Sequence, residues 1–217
     1  MPRHMKKNIK YAIALLLAAT SALTVAARDV RSLFASEDKG VFMSLPQDTR
    51  LDMLDYYAAG QKMKMQNNFG GQAGIDTLAH DYMKISTSAS SNVELLMASA
   101  KRDTVIYVIT TYLLPTADCH IAVYDKEWNE LKTGKYIKLP EMQDFIRIPK
   151  GDKTKRDDVA NEIPFPTMRC HLDPATKSIT ISPTIEGYMT TETHDAIKGY
   201  VANSITYSLK GTKFKKQ

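Results

Sequence analysis

The chain has 217 residues, and its 29 Lys and Arg residues against 24 Asp and Glu residues give a formal net charge of +5. Residues 1–27 carry four of the basic residues, Arg3, Lys6, Lys7 and Lys10, and no acid, so the net charge of the remainder is +1. A chain so nearly balanced lacks the one-sided positive field that nucleic-acid binding requires, and we expect no nucleic-acid partner.

The N-terminal 27 residues have the three parts of a cleavable secretory signal peptide. A basic start precedes an uncharged stretch rich in Leu and Ala at residues 11–25, and small residues end the segment at Ala26 and Ala27. The uncharged stretch is shorter than the roughly 20 apolar residues of a membrane span. We therefore predict cleavage near Ala27, a periplasmic or secreted location, and no transmembrane segment in the mature chain. An uncleaved N-terminal anchor is the alternative.

Two helices are predicted ahead of the strands. The first, at residues 28–36, places its apolar side chains on one side. The second is predicted to begin at Thr49, a candidate N-cap, and to end at Gly60. Its apolar residues recur at helical spacing: Leu51, Leu54, Tyr57 and Ala58.

Beyond Gly60 the pattern is typical of short antiparallel strands. Strands are predicted at residues 62–65, 82–86, 93–97, 104–113, 119–124, 135–139, 167–172, 178–182 and 205–209. Residues 104–113 are rich in Val, Ile, Thr and Tyr with little alternation, which predicts a central strand covered on both faces. Residues 75–80 are predicted to form a helical turn and residues 191–201 a helix. The Lys-rich C-terminal segment is predicted to be frayed.

These elements predict an α+β fold, with N-terminal helices packed on an antiparallel β-sheet meander of six to nine strands. We expect residues 28–217 to form a single α+β domain. The alternative is two small subdomains that meet near residues 145–160.

The two cysteines, Cys119 and Cys170, both lie in the predicted exported part, where a disulfide can form. A bridge between them would close a loop of roughly 50 residues, worth about 4 kcal/mol in the chain-entropy model. Each cysteine precedes a histidine, His120 or His171, which raises the question of a zinc site. Adjacent side chains on a strand point to opposite faces, so four ligands would not converge there. We therefore expect no metal at these residues. The sequence leaves two alternatives for the cysteines, a disulfide or two free thiols.

Four residues are weak candidates for a pocket: Asp52 and Asp55 on one helix face, and His80 and Asp81 further on. Paired carboxylates can hydrolyse sugars when they are held roughly 5–10 Å apart. Acids in the first turns of a helix more commonly complement the helix dipole. The chain has no phosphate-binding glycine loop and no nucleophile elbow. We predict no catalytic residue and no cofactor.

Five segments carry a family resemblance: RLDMLDY at 50–56, NFGG at 68–71, LAHDYM at 78–83, TT at 110–111 and VYDKEW at 123–128. Their order and spacing resemble an uncharacterised family of exported bacterial proteins, domain of unknown function family 3256. The resemblance implies a Gram-negative envelope or secreted setting. It supplies no activity, cofactor or catalytic residue.

The functional hypothesis is an exported, non-catalytic binding or accessory module of the cell envelope. Its partner would be an envelope protein, or a peptide or glycan ligand. The alternative is a hydrolase with an acid-based or Cys/His site that the order of the sequence hides. In that case a cysteine could meet His80 or His194, or the four pocket candidates could converge.

Overall fold

A computed structural model describes residues 29–101 and 103–217. The predicted signal peptide, residues 1–27, lies outside the described residues. The helices are α1 Val30–Ser36, α2 Gln47–Ala58, α3 Arg156–Asn161 and α4 Thr191–Ile197. The strands are β1 Met65–Gln66, β2 Gln72–Leu78, β3 Tyr82–Ser88, β4 Ser91–Ala100, β5 Asp103–Tyr112, β6 Asp118–Asp125, β7 Glu130–Leu131, β8 Met168–Asp173, β9 Ser178–Pro183, β10 Ile205–Lys210 and β11 Lys213–Lys216. Short 3₁₀ turns occur at Thr133–Lys135, Met142–Asp144, Ile185–Tyr188 and Lys198–Tyr200.

The strands form two antiparallel sheets, and the α+β class is confirmed. The first sheet is a seven-stranded meander in the order β1 to β7, and the second has four strands in the order β11-β10-β9-β8. The expected single sheet was wrong, because β8 to β11 leave the meander and pack across its other face. Within the described ranges, no helix is long and apolar enough to cross a membrane.

Helices α1 and α2 cover one face of the meander. Asp29 caps α1 by accepting a hydrogen bond from the Ser32 amide at 2.8 Å, and the Val30 amide donates to the His80 carbonyl at 3.0 Å. The α1 residue Phe34 packs edge-on to Phe42, which packs edge-on to Trp128. These contacts join the first helix, the loop after it and the β6–β7 turn in one apolar cluster.

The second sheet covers the opposite face through a separate core. Tyr107 on β5 packs edge-on to Phe214 on β11 at 4.9 Å between ring centroids. Its hydroxyl donates to the Thr212 carbonyl at 2.9 Å. The predicted frayed C-terminus was therefore wrong, because Phe214 is buried and holds β11 in the sheet.

Strand β5 is the central strand that its sequence predicts. Its side chains alternate between the two faces: Ile106 and Val108 contact the helix-side cluster, whereas Val105 and Ile109 contact the core between the sheets. Both sets are buried.

Four local predictions were wrong. Thr49 is not the N-cap of α2, because the helix begins at Gln47 after Pro46. Residues 75–80 belong largely to β2, where a bulge between Ile75 and Thr77 breaks the alternation that marks a strand. The 62–65 strand is reduced to Met65–Gln66, and the predicted 135–139 strand begins in a 3₁₀ turn and continues irregularly.

Candidate binding groove

A groove of about 420 Å³ opens at the end of the meander where β3 turns into β4 and β5 ends. It lies on the helix-side face, beyond the area that α1 and α2 cover. The loop after α1 and the β1–β2 turn form its sides. Its lining consists of Val41, Phe42, Met43, Ser44, Asn67, Phe69, Gly71, Thr87, Ser88, Ser91, Val93, Thr110 and Tyr112.

None of the thirteen described lining residues is Asp, Glu, Lys, Arg or His. Three large apolar or aromatic side chains stand at the rim and are unusually exposed: Met43 at 75%, Phe69 at 76% and Tyr112 at 54% of their full accessible area. Exposed large side chains gathered at one concavity commonly mark an interaction site, whereas scattered ones carry no such meaning.

The floor of the groove is a cluster of hydroxyl groups. The Ser91 hydroxyl lies 2.8 Å from that of Thr87 and 2.7 Å from that of Ser88. The Ser88 hydroxyl also accepts a hydrogen bond from the Ser90 amide at 3.1 Å. Ser91 thus links Thr87 to Ser88, whose hydroxyl also lies 3.4 Å from that of Ser90.

Asn67 holds the β1–β2 turn that presents Phe69. This buried side chain accepts hydrogen bonds from the amides of Phe69 and Gly71, both at 2.9 Å. Its amide group donates to the Thr87 carbonyl at 2.7 Å. Glycine at position 71 leaves room for this side chain, because a Cβ there would lie 2.9 Å from the Asn67 Nδ2 atom and displace it. The aromatic ring is therefore exposed on a backbone that is itself fixed.

The opposite side of the groove is tied to the same turn. The Asn68 amide donates to the Ser44 carbonyl at 3.0 Å, and its side-chain nitrogen donates to the Met43 carbonyl at 3.3 Å. These two bonds connect the loop after α1 with the β1–β2 turn. Met43 and Phe69 are consequently held on segments that contact each other.

A buried ion pair shapes the loop that carries Met43. The Glu37 carboxylate accepts hydrogen bonds from the amides of Lys39 at 2.6 Å and Val41 at 3.0 Å, and from the Arg50 Nη1 atom at 2.6 Å. Burial disfavours the charged carboxylate, but these donors outweigh it and lower the pKa of Glu37 below its ordinary value. Glu37 thereby fixes the start of the loop.

The structure gives the four predicted pocket candidates different surroundings. Asp52 and Asp55 lie on the exposed face of α2, where Asp55 pairs with Arg31 at 3.6 Å. Asp81 pairs with Lys177 on the β8–β9 turn at 2.6 Å, and His80 is exposed. None of them lines the groove or any of four other cavities in the described part of the chain.

The two cysteines, Cys119 and Cys170, form a disulfide that joins β6 of the first sheet to the edge strand β8 of the second, with 5.9 Å between the Cα atoms. A cavity of about 180 Å³ lies against it. The neighbouring residues His120 and His171 are both exposed. Among the described residues, no group of three or more His, Cys, Asp or Glu side chains could hold a metal ion.

Sequence reasoning missed the groove, although two signals point to it. A large aromatic residue, Phe69, stands inside the polar glycine-containing turn at residues 67–71, where an apolar ring has no local packing partner. Serines and a threonine are dense at residues 86–91. Only the meeting of these two segments makes them a site.

The chain is an α+β protein in which two helices cover one face of a seven-stranded antiparallel meander and a four-stranded sheet covers the other. The model of the family described as "Protein of unknown function (DUF3256)" matches residues 22–214, and the chain belongs to that family. The predicted resemblance is confirmed.

The fold is similar to that of a solved structure. It is described as a domain of an uncharacterized protein from Porphyromonas gingivalis W83, with a TM-score of 0.73 and 22% sequence identity over 85% of this chain and 97% of that chain. No curated protein matches.

Proposed function

We propose that the protein is an exported, non-catalytic binding module of the cell envelope, and that the groove is its ligand site. The observation that carries the proposal is the gathering of Met43, Phe69 and Tyr112, all exposed, around one concavity. Its volume lies within the roughly 300–1,000 Å³ of small-ligand sites. The hydrogen bonds of Asn67 and Asn68 hold both sides in place, so little ordering is needed on binding.

The composition of the groove supports binding without chemistry. General acid–base catalysis needs a titratable side chain within hydrogen-bond reach of the substrate, and the described lining holds no Asp, Glu, His, Lys or Cys. Its one titratable side chain is the phenol of Tyr112, which stands exposed at the rim. The hydroxyls of Thr87, Ser88 and Ser91 bond to each other and not to a histidine that could activate them. The hydrolase alternative is not favoured, because Asp55 and Asp81 have separate basic partners.

Export and a single domain belong to the same proposal. The Cys119–Cys170 disulfide suits an oxidising compartment, as does the signal-peptide pattern of residues 1–27. Residues of both sheets share the core between them, and this supports one folding unit at residues 28–217. Location is tested by fractionating cells that express the full chain. An unprocessed protein in the cytoplasm would contradict export.

Methionine methyl NMR tests the ligand site directly. Protein labelled at its methionine methyl groups is titrated with the soluble peptide and glycan fractions of a Gram-negative cell envelope. We expect the Met43 signal to shift, while Met189, which lines a different cavity, stays in place. The Phe69→Ala variant should abolish the shift, and the bound fraction should be recovered chemically unchanged.

Two results would overturn the proposal. An unmoved Met43 signal with every fraction would exclude the groove as a ligand site. Recovery of a cleaved or modified ligand would exclude a purely binding role.

A further inference from the structure

The hydroxyl floor has spare capacity for both donating and accepting hydrogen bonds. The hydroxyls of Thr87, Ser91 and Ser88 continue to that of Ser90 in a chain of three hydrogen bonds, which uses three of the four hydroxyl protons and leaves one. Each oxygen can also accept two bonds. A ligand that fits this floor has groups that both donate and accept, and hydroxyl groups are the chemical match.

The backbone of the floor offers little to a peptide. Ser91 pairs with Tyr112 and Val93 with Thr110 in the β4–β5 ladder, and β3 pairs with the other side of β4. Peptides that bind sheets do so by main-chain bonds to a free edge. The floor strands β3 to β5 lie inside the meander, so their main-chain groups are already used.

The rim adds two exposed aromatic rings, Phe69 and Tyr112, beside the hydroxyl floor. A pyranose ring has an apolar C–H face and a hydroxyl periphery, so it can cover a ring while its hydroxyls meet the floor. Covering the exposed ring area removes apolar surface from water, which is favourable. The lining carries no charged side chain that could pair with an acidic or basic ligand, so it matches a neutral one.

From these three features we infer that the groove binds a short neutral oligosaccharide. The inference rests on the proposed function, because it assigns the ligand class of the same groove. Phe69 and Tyr112 supply the stacking surfaces, and Ser91, which links the hydroxyls of Thr87 and Ser88, supplies the polar contact.

The test is a binding screen of the purified full-length protein against an array of neutral glycans, acidic glycans and uncharged hexapeptides. Dissociation constants for the hits are then measured by calorimetry. We expect neutral glycans to bind, and each of Phe69→Ala, Tyr112→Ala and Ser91→Ala to weaken binding by about tenfold.

Two control variants match these changes outside the groove. Phe165 is also an exposed aromatic residue, and Ser99 is an exposed strand serine bonded to another hydroxyl, that of Thr104. Phe165→Ala and Ser99→Ala should leave the dissociation constant unchanged within about twofold, the ordinary scatter of surface substitutions.

The outcomes separate this inference from the proposed function. Hexapeptides that bind at the Met43 methyl while all neutral glycans fail would overturn the sugar assignment and leave the groove as a ligand site. A preference for acidic glycans would overturn the assignment as well. Absence of any binding, or equal loss in Phe165→Ala, would remove both the assignment and the proposed site.

Discussion

The Arg50 guanidinium and the Glu37 carboxylate form a fully buried ion pair, with 2.6 Å between Nη1 and Oε2 and both side chains only 3% exposed. Arg50 lies against the rings of Phe34 and Phe42, at 5.7 and 5.6 Å from their centroids. The same guanidinium donates to the Glu37 carbonyl, while its Nε atom is buried without a partner in the described structure. The pair therefore joins α2 to the loop that carries Met43.

Removing the arginine should be strongly destabilising. Arg50→Met leaves the Glu37 carboxylate buried without its counter-charge, and the loss of one partner of a buried pair costs about 3–5 kcal/mol. The free energy of unfolding in urea measures the effect. The matched control is Arg31→Met, which breaks the exposed pair with Asp55 and should cost at most about 1 kcal/mol. Equal costs for the two variants would show that the buried pair contributes nothing particular.

The same carboxylate predicts a loss of stability in acid. The pKa of Glu37 in the folded state is below its ordinary value of 4.5, so protonation favours the unfolded chain. Its contribution is complete above that ordinary value and is lost as the pH falls through the lower folded-state pKa. Urea unfolding at a series of pH values from neutral downwards measures this loss.

The variant Glu37→Gln is the control for acid stability, because it cannot titrate at this position. It should be less stable at neutral pH, with a shallower decline in acid than the wild type. Asp29, Asp125 and Asp173 also have lowered pKa values, so the variant should retain part of the decline. If the free energies of unfolding of variant and wild type fell in parallel as the pH is lowered, Glu37 would not contribute to the loss of stability in acid.

Asn67 and Asn68 are neighbours with different roles in the groove. Asn67→Ala removes three hydrogen bonds of the β1–β2 turn. It should lower the free energy of unfolding by about 2–3 kcal/mol, because the amides of Phe69 and Gly71 lose their acceptor and the Thr87 carbonyl loses a donor. Asn68→Ala removes one long side-chain bond at 3.3 Å and should cost less than about 1 kcal/mol. Urea unfolding gives both values, and amide relaxation at Phe69 should show increased motion only in Asn67→Ala.

The disulfide should contribute a large share of the stability. The bridge spans a sequence separation of 51 residues. Replacing both cysteines, Cys119→Ser with Cys170→Ser, should cost about 4 kcal/mol in the chain-entropy model. Wild-type protein treated with a reductant should match the double variant, and the reductant should not change the variant further. A double variant as stable as the oxidised protein would contradict this account.

Some features of the fold follow from local sequence. The central position of β5 was predictable, because residues that must be covered on both faces are continuously apolar, as at Val105 to Ile109. The end of α2 was predictable as well, because the positive φ of Gly60, 75°, favours glycine. The antiparallel α+β class followed from the order of short strands after helices.

The division into two sheets could not be read from the pattern. The strands of β8 to β11 alternate like those of the meander, and alternation records which face is buried but not which sheet a strand joins. Long-range contacts decide that question. The Tyr107 ring packs against Phe214, and its hydroxyl donates to the Thr212 carbonyl, which is 105 residues away in the chain.

The sequence by itself determined the family and the secondary-structure class, because these depend on residue order and local period. It offered the Cys119–Cys170 bridge as one of two alternatives, and the approach of the two strands in the folded chain decided it. Only the tertiary structure decided the groove and the buried pair of Glu37 and Arg50. Phe69, Ser91 and Tyr112 lie in separate segments, and they meet where the helices stop covering the sheet. Local propensity carries no information about that meeting, which depends on how far α1 and α2 extend over the meander.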